Sequence, residues 1–261
     1  WQLELVEQGP LVARVVLRSS IESSALRLDV LLRADSPCVE LQVTIDWRQT
    51  HELLRMVCSL ARSAVRWAAD TSGGVIERPA VALTPSEQAR WEVPVISWLA
   101  SEEAGPGGGL GILLDGPQGV DASRHHLGIS LLRGPTWPDP SADGRLHRHR
   151  LALMPVSMGW YRHGLAQAAI RFREPGWLGP IESCNRWYGF PALPQQLVPV
   201  SIRSDQSADA VEHAVLVQLL NPGSARVTWS PGDHGWLIQD GHQSTTITPG
   251  ALQELRLAPQ S

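Results

Sequence analysis

The stretch CVELQVTIDW, Cys38–Trp47, decides the fold class. Val39, Leu41, Val43, Ile45 and Trp47 alternate with Glu40, Gln42, Thr44 and Asp46. Ten residues at period two put the apolar set on one face of a half-buried strand and the polar set on the other.

Working outward, Leu11–Arg18 and Leu26–Leu32 read as two more strands, joined through the polar stretch Ser19–Ser24. Leu110–Leu114, His126–Leu132 and Arg148–Leu153 have the same character. Glycine and proline punctuate the chain at Gly73-Gly74, Gly105–Gly109, Gly116-Pro117, Pro135–Pro140 and Asp143-Gly144. Strands with turns at such intervals predict an all-β sandwich or barrel. Helical periodicity is confined to Gly164–Arg171 and to Thr84–Arg90, where Pro85 suits a first helical position. Pro175–Gln196 is rich in Gly, Pro and Trp, has no period, and reads as a linker. After it, Val198–Ile202, Ala214–Leu220, Val227–Ser230, Trp236–Gln239, Ser244–Ile247 and Leu252–Leu257 predict a separate small sandwich. The expected organisation is therefore a large β domain over 1–192 and a small one over 193–261.

Composition narrows the function. The chain has 261 residues, 43% of them hydrophobic and 18% charged, enough to bury a sizeable core. A net charge of −4 argues against a nucleic-acid surface, and no apolar run approaches the roughly 20 residues of a membrane helix. All 22 basic residues are Arg, which excludes Schiff-base lysine chemistry and a phosphate-loop lysine. Eleven Trp against two Tyr and two Phe make indole the main aromatic core material. Cys38, Cys58 and Cys184 form no CxxC pair and read as reduced thiols of a cytoplasmic protein. The chain opens at Trp1 with neither an initiator Met nor a signal pattern, so it is expected to be part of something longer.

Candidate chemistry is sparse. His147 and His149, two apart in an extended stretch, point from one face, with His125-His126 upstream. Carboxylates are not arrayed with them, so no metal site is expected. Asp139 and Asp143 flank a proline-rich turn, and Glu102-Glu103 adjoin a glycine loop; solvated loop acids share that spacing with a glycosidase pair. GxSxG is absent.

The segment ISLLRGPTWPDPSADGRLHRHRLALMP, Ile129–Pro155, resembles the C-terminal half of glycoside hydrolase family 38 α-mannosidases. Ser130, Leu131, Leu132, Arg133, Pro135 and Pro138 match "LSLLR-x-P-x-x-P". Asp143, His147, Ala152, Leu153 and Pro155 match "D-x-G-x-H-x-F-x-Y-A-L-x-P". Gly9-Pro10 with Ala13, Asp46-Trp47 with His51 and Leu53-Leu54-Arg55, Ile76–Pro79, Glu92-Val93, Gly119 and the closing Ile247–Leu257 follow the family's blocks in order. The family's Glu after "DW" is Gln49 here, and the Asp of its "W-x-D-L-S" element is missing at Trp98–Ser101.

The resemblance implies a supersandwich similar to galactose mutarotase, followed by a small terminal sandwich. It implies a retaining, zinc-dependent α-mannosidase as the parent. The nucleophile and zinc ligands would lie in an N-terminal catalytic domain of the same parent chain, with no cofactor, metal or catalytic residue in this portion, which alone would be inactive. The expected partners are that domain and a mannosyl glycan, without nucleic acid or membrane. Arg133, Asp139, Asp143 and His147 are the substrate-binding candidates. Arg133 at a strand end can fork to hydroxyls or a carboxylate, or else pair with Asp139 or Asp143. Trp137, Trp160 and Trp177 are expected on a face left for the catalytic domain. Two rival readings stay open. A stand-alone carbohydrate-binding module needs an exposed row of Trp. A mutarotase-like epimerase needs an acid and a base, for which His126, His147 and Glu92 are available.

Overall fold

The computed structural model describes residues 1–104, 108–157, 159–174, 189–207, 213–239 and 241–260. The chain divides into two compact units, Trp1–Trp160 with Ala168–Arg173, and Tyr161–Gln167 with Glu174–Ser261.

The larger unit is built from β1 (Gln2–Gln8), β2 (Val12–Ile21), β3 (Ser24–Arg33), β4 (Val39–Asp46), β5 (Leu54–Ser59), β6 (Ala64–Thr71) and β7 (Gly74–Pro79). After a short helix α1 (Pro85–Gln88) come β8 (Val93–Pro94), β9 (Trp98–Glu103), β10 (Gly109–Asp115), β11 (Gly119–Ala122), β12 (His126–Leu132) and β13 (Leu146–Val156). Nine strands form an antiparallel sheet in the order β1-β2-β3-β4-β13-β10-β9-β6-β7, and a four-stranded sheet runs β5-β12-β11-β8.

The period-two reading of β4 holds. Leu41, Val43, Ile45 and the following Trp47 are buried, and they pack with Leu99, Ile112, Leu114 and Leu151 of the large sheet. The four-stranded sheet faces the same core with Val120, Leu127 and Ile129, backed by Met56 and Cys58. Its alternate residues Arg55, Asp121, His126 and Ser130 therefore share the opposite face.

The polar stretch Ser19–Ser24 is not a loop. β2 and β3 pair as far as Ile21 opposite Ser24, and Glu22 takes a positive φ of 48° in the tight turn. A hairpin with one solvent-facing side tolerates polar residues in its strands, so polarity there did not mark a connection. Pro85 opens α1 as expected, and Thr84 caps it: its hydroxyl accepts the Glu87 N–H, and the Glu87 carboxylate accepts the Thr84 N–H.

Trp160 corrects an expectation. It is only 7% exposed, lies 5.0 Å from Trp98 between ring centroids, and donates its indole N–H to Glu77 at 3.3 Å. Trp137, in contrast, is 82% exposed. Trp177 and Cys184 lie outside the described residues, as does most of the expected linker.

In the smaller unit, β14 (Val198–Ser204), β15 (Val215–Leu220), β16 (Val227–Trp229), β17 (Trp236–Ile238), β18 (Thr245–Ile247) and β19 (Leu252–Pro259) match the six predicted strands. They form a sheet β14-β15-β19-β17 and a two-stranded ribbon β16-β18 around Val217, Leu219, Trp229, Ile247 and Leu257. The helix α2 (Leu165–Arg173) accounts for the other helical prediction.

Candidate functional site

The two most informative sequence blocks meet at one end of β12. Trp47, 1% exposed, anchors the first, and its N–H reaches the Arg145 carbonyl at 3.2 Å. Gln49 is buried beside it. Its amide donates to the Ile21 carbonyl at 3.1 Å and the Ser23 hydroxyl at 3.2 Å, and its oxygen accepts from Ser24. A residue so fully engaged fixes the turn onto the β2–β3 hairpin. The His51 N–H then donates to the Gly134 carbonyl at 2.7 Å, which joins the first block to the second.

Gly134 has a φ of +57°, and a Cβ there would fall 2.6 Å from the Gln49 carbonyl oxygen. Only glycine suits that backbone and that approach. Asp143 holds the same turn from the other side. One carboxylate oxygen accepts the N–H groups of Arg133 at 3.0 Å and Gly134 at 2.9 Å. Burial pushes the Asp143 carboxyl up, but these two donors, with the charges of His147 and Arg145, hold it below its ordinary value. His147 donates from Nε2 to the Asp143 carbonyl at 2.8 Å, so that nitrogen carries its proton.

The four predicted substrate residues thus take different places. Asp143 and His147 brace the turn. Asp139 is exposed and accepts the N–H and hydroxyl of Ser141 at 2.8 and 2.7 Å, organising its own loop. Arg133 opens into a cleft of about 390 Å3 with His51, Glu52, Leu53, Thr136 and Trp137. Among the described residues, no hydrogen bond or ion pair engages its guanidinium; neither Asp139 nor Asp143 takes it. His51 Nε2 and the Thr136 hydroxyl, also in its lining, lie 3.1 Å apart. His51, Thr136 and Trp137 were in quoted motifs, but only the fold shows that they share a cleft with Arg133.

His147 and His149 do share a face, with ring centroids 6.1 Å apart at 16°. Burial, then the neighbouring His147, hold His149 below its usual pKa. No group of three His, Cys, Asp or Glu side chains able to hold a metal occurs among the described residues. His126 and Glu92 belong to a network on the four-stranded sheet, whereas His147 stands on β13 of the other sheet. Trp1 and Trp91 are exposed besides Trp137, and Trp91 and Trp137 line separate clefts. No helix among the described residues is long and apolar enough to cross a membrane.

The model of the glycosyl hydrolases family 38 C-terminal domain matches residues 1–141. "Alpha-mannosidase 2C1" of Homo sapiens is 27% identical over 197 residues, covering 74% of this chain and 19% of that protein. "Alpha-mannosidase G" of Dictyostelium discoideum is 27% identical over 174 residues, covering 64% of this chain and 15% of that protein. This chain therefore spans about a fifth or less of the curated relatives it matches. An α-mannosidase from Enterococcus faecalis V583 superimposes with a TM-score of 0.76 at 12% identity, over 98% of this chain and 34% of that one, which shows the fold.

Proposed function

The chain belongs to glycosyl hydrolase family 38, as the C-terminal domain of that family, and from this premise we propose that it forms the C-terminal part of an α-mannosidase. In this reading the whole enzyme is retaining and zinc-dependent, and it hydrolyses α-mannosidic bonds in glycans or oligosaccharides. The observation that carries the reading is Arg133, whose guanidinium no hydrogen bond or ion pair engages among the described residues, while Asp143 fixes its backbone. A planar fork of donors on a fixed backbone, beside an exposed indole, suits sugar hydroxyls or a carboxylate that acts on them.

The catalytic domain of the same parent chain would dock on this one and take Arg133 as part of its substrate wall. Trp137, 82% exposed at the same cleft, supports that placement. In this reading the nucleophilic carboxylate and the zinc belong to the catalytic domain. The ion would polarise the substrate there; this chain's residues bind and orient. The cytoplasm is the proposed compartment, supported by the unpaired thiols of Cys38 and Cys58.

The test is turnover of an aryl α-mannoside by the full-length protein that contains this chain, and by the 261-residue chain alone, with and without zinc. We expect zinc-dependent turnover by the first and none by the second. Turnover by the chain alone, or a full-length protein inert toward mannosides, would overturn the reading.

A further inference from the structure

Three stretches that the Arg133 cleft leaves unused converge elsewhere. Ile76–Pro79, Glu92-Val93 and Val120–Ala122 line a cavity of about 420 Å3. It sits where both sheets of the larger unit end, since β7 closes the nine-stranded sheet and β8 the four-stranded one. No residue lines both this cavity and the Arg133 cleft.

Trp91 stands at the cavity, 88% exposed. Its flat apolar face, bare to water, is a surface on which the C–H face of a sugar ring can stack. Beside it are two carboxylates held in place by other groups. Asp121 pairs with Arg55 and lies 2.8 Å from His126 Nε2. Glu92 accepts the Ser130 hydroxyl and lies 3.7 Å from Arg55 Nε. Gly128, opposite Asp121 in register, leaves room for this pair: a Cβ there would collide with both Arg55 Nη2 and Asp121 Oδ1. Acceptors already fixed in this way lose little freedom when a ligand arrives.

The donor side is unfilled. The Arg78 guanidinium lies 4.9 Å from the centroid of the Trp67 ring, and its Nε is buried with no hydrogen-bond partner among the described residues. Burial, and then the nearby Arg90, hold this group below its ordinary pKa. Arg78 lines the cavity, and among the described residues no hydrogen bond or ion pair engages its guanidinium, so its terminal nitrogens are the donors a ligand hydroxyl would meet.

Charge selects the ligand class. Glu77, Glu87, Glu92 and Asp121 line the cavity against Arg78 and Arg90. An anion would meet four carboxylates, and a cation would meet two guanidiniums. A neutral polyol can donate to the first set and accept from the second. The volume falls at the lower end of the roughly 300–1,000 Å3 of small-molecule sites, suited to one sugar ring rather than an extended chain.

We propose that this cavity is a carbohydrate subsite for one neutral pyranose residue, stacked on Trp91, with its hydroxyls on Glu92, Asp121 and Arg78. The proposal does not rest on the mannosidase reading, and the sugar need not be mannose.

The experiment labels the 261-residue chain with 5-fluorotryptophan and titrates it with the methyl glycosides of mannose, glucose and galactose, and with methyl glucuronide. The fluorine resonance of Trp91 is assigned by its loss in Trp91→Ala. Saturable movement of that resonance by a neutral glycoside, with a dissociation constant on the order of 1 mM, is expected. Parallel saturation-transfer measurements should show binding weakened about 10-fold or more in Trp91→Ala and in Arg78→Met, and unchanged in Trp1→Ala, an exposed indole that lines neither cleft. Absence of saturable binding by every neutral glycoside overturns the proposal. So does loss confined to Trp137→Ala, equal loss in Trp1→Ala and Trp91→Ala, or preference for the anionic glucuronide. Because Trp91 and Trp137 report on different clefts, failure here and failure of the mannosidase reading give different results.

Discussion

Asp143 holds Arg133 by its backbone and leaves its side chain alone: the carboxylate accepts the Arg133 N–H at 3.0 Å and the adjoining Gly134 N–H at 2.9 Å. One acid thus fixes where the guanidinium starts without neutralising it. Position and charge are separated, and each can be tested by its own substitution.

Arg133→Ala in the full-length enzyme should lower kcat/KM while the melting temperature stays near that of the parent. A lost charged hydrogen bond of about 1.5–3 kcal/mol corresponds to a decrease of about 10- to 150-fold. Arg133→Lys should recover little, because a point charge lacks the planar fork. A variant that instead melts early and keeps its activity per folded molecule would assign Arg133 a structural role.

Asp143→Ala should reverse this pattern and destabilise the chain by about 2 kcal/mol, because two backbone donors lose a charged acceptor. Asp143→Asn, which keeps an acceptor oxygen, should cost less. The folded Asp143 carboxyl titrates below its ordinary value near 3.8. Its charge therefore stabilises fully above that value, and the gain disappears as pH falls through the lower folded pKa. Denaturant melts of parent and Asp143→Asn should converge in that acid window; a gap that persists there would contradict the assignment.

Gly134→Ala should cost about 2 kcal/mol or more, from a left-handed backbone and a Cβ placed 2.6 Å from the Gln49 carbonyl oxygen. Thermal unfolding measures it. Gly144→Ala is the control, since nothing lies within 4 Å of a Cβ at that glycine.

Cys38 and Cys58 should alkylate slowly in the folded chain at neutral pH. Burial pushes both thiols up, and the thiolate is the reacting form. Time-resolved mass spectrometry with iodoacetamide should show their rates rising with pH well above neutrality, and rising at once on denaturation. Rapid labelling of native Cys58 would contradict its inward place on β5.

The tight strand readings came from residues that see only one kind of neighbour on each side. β4 shows its period because one face meets the core and the other does not. β9 does not, since Trp98–Ser101 are buried on consecutive positions, and a strand covered on both faces has no alternation to read; β10, buried likewise over Gly111–Leu114, was legible as the apolar run Leu110–Leu114 between glycine turns. β1 has the opposite character: all seven residues are exposed, so no buried face marks it, and its pairing with β2 defines it.

By itself, then, the sequence determined the all-β class, the six strands of the small unit, the short helix begun at Pro85 and the membership of Arg133 in a family motif. Each of these rests on local period, turn chemistry or residue order. Only the tertiary structure decided which side chains are free. Trp137 and Trp160 both sit in irregular segments, yet one is bare and the other packs at a tilt against Trp98 and bonds Glu77, 83 residues away in sequence. Asp139 and Asp143 look alike in the chain, but only Asp143 reaches the backbone beneath Arg133. Contacts of that range depend on how strands distant in sequence pair, and no local pattern encodes which polar group is left without a partner once they have.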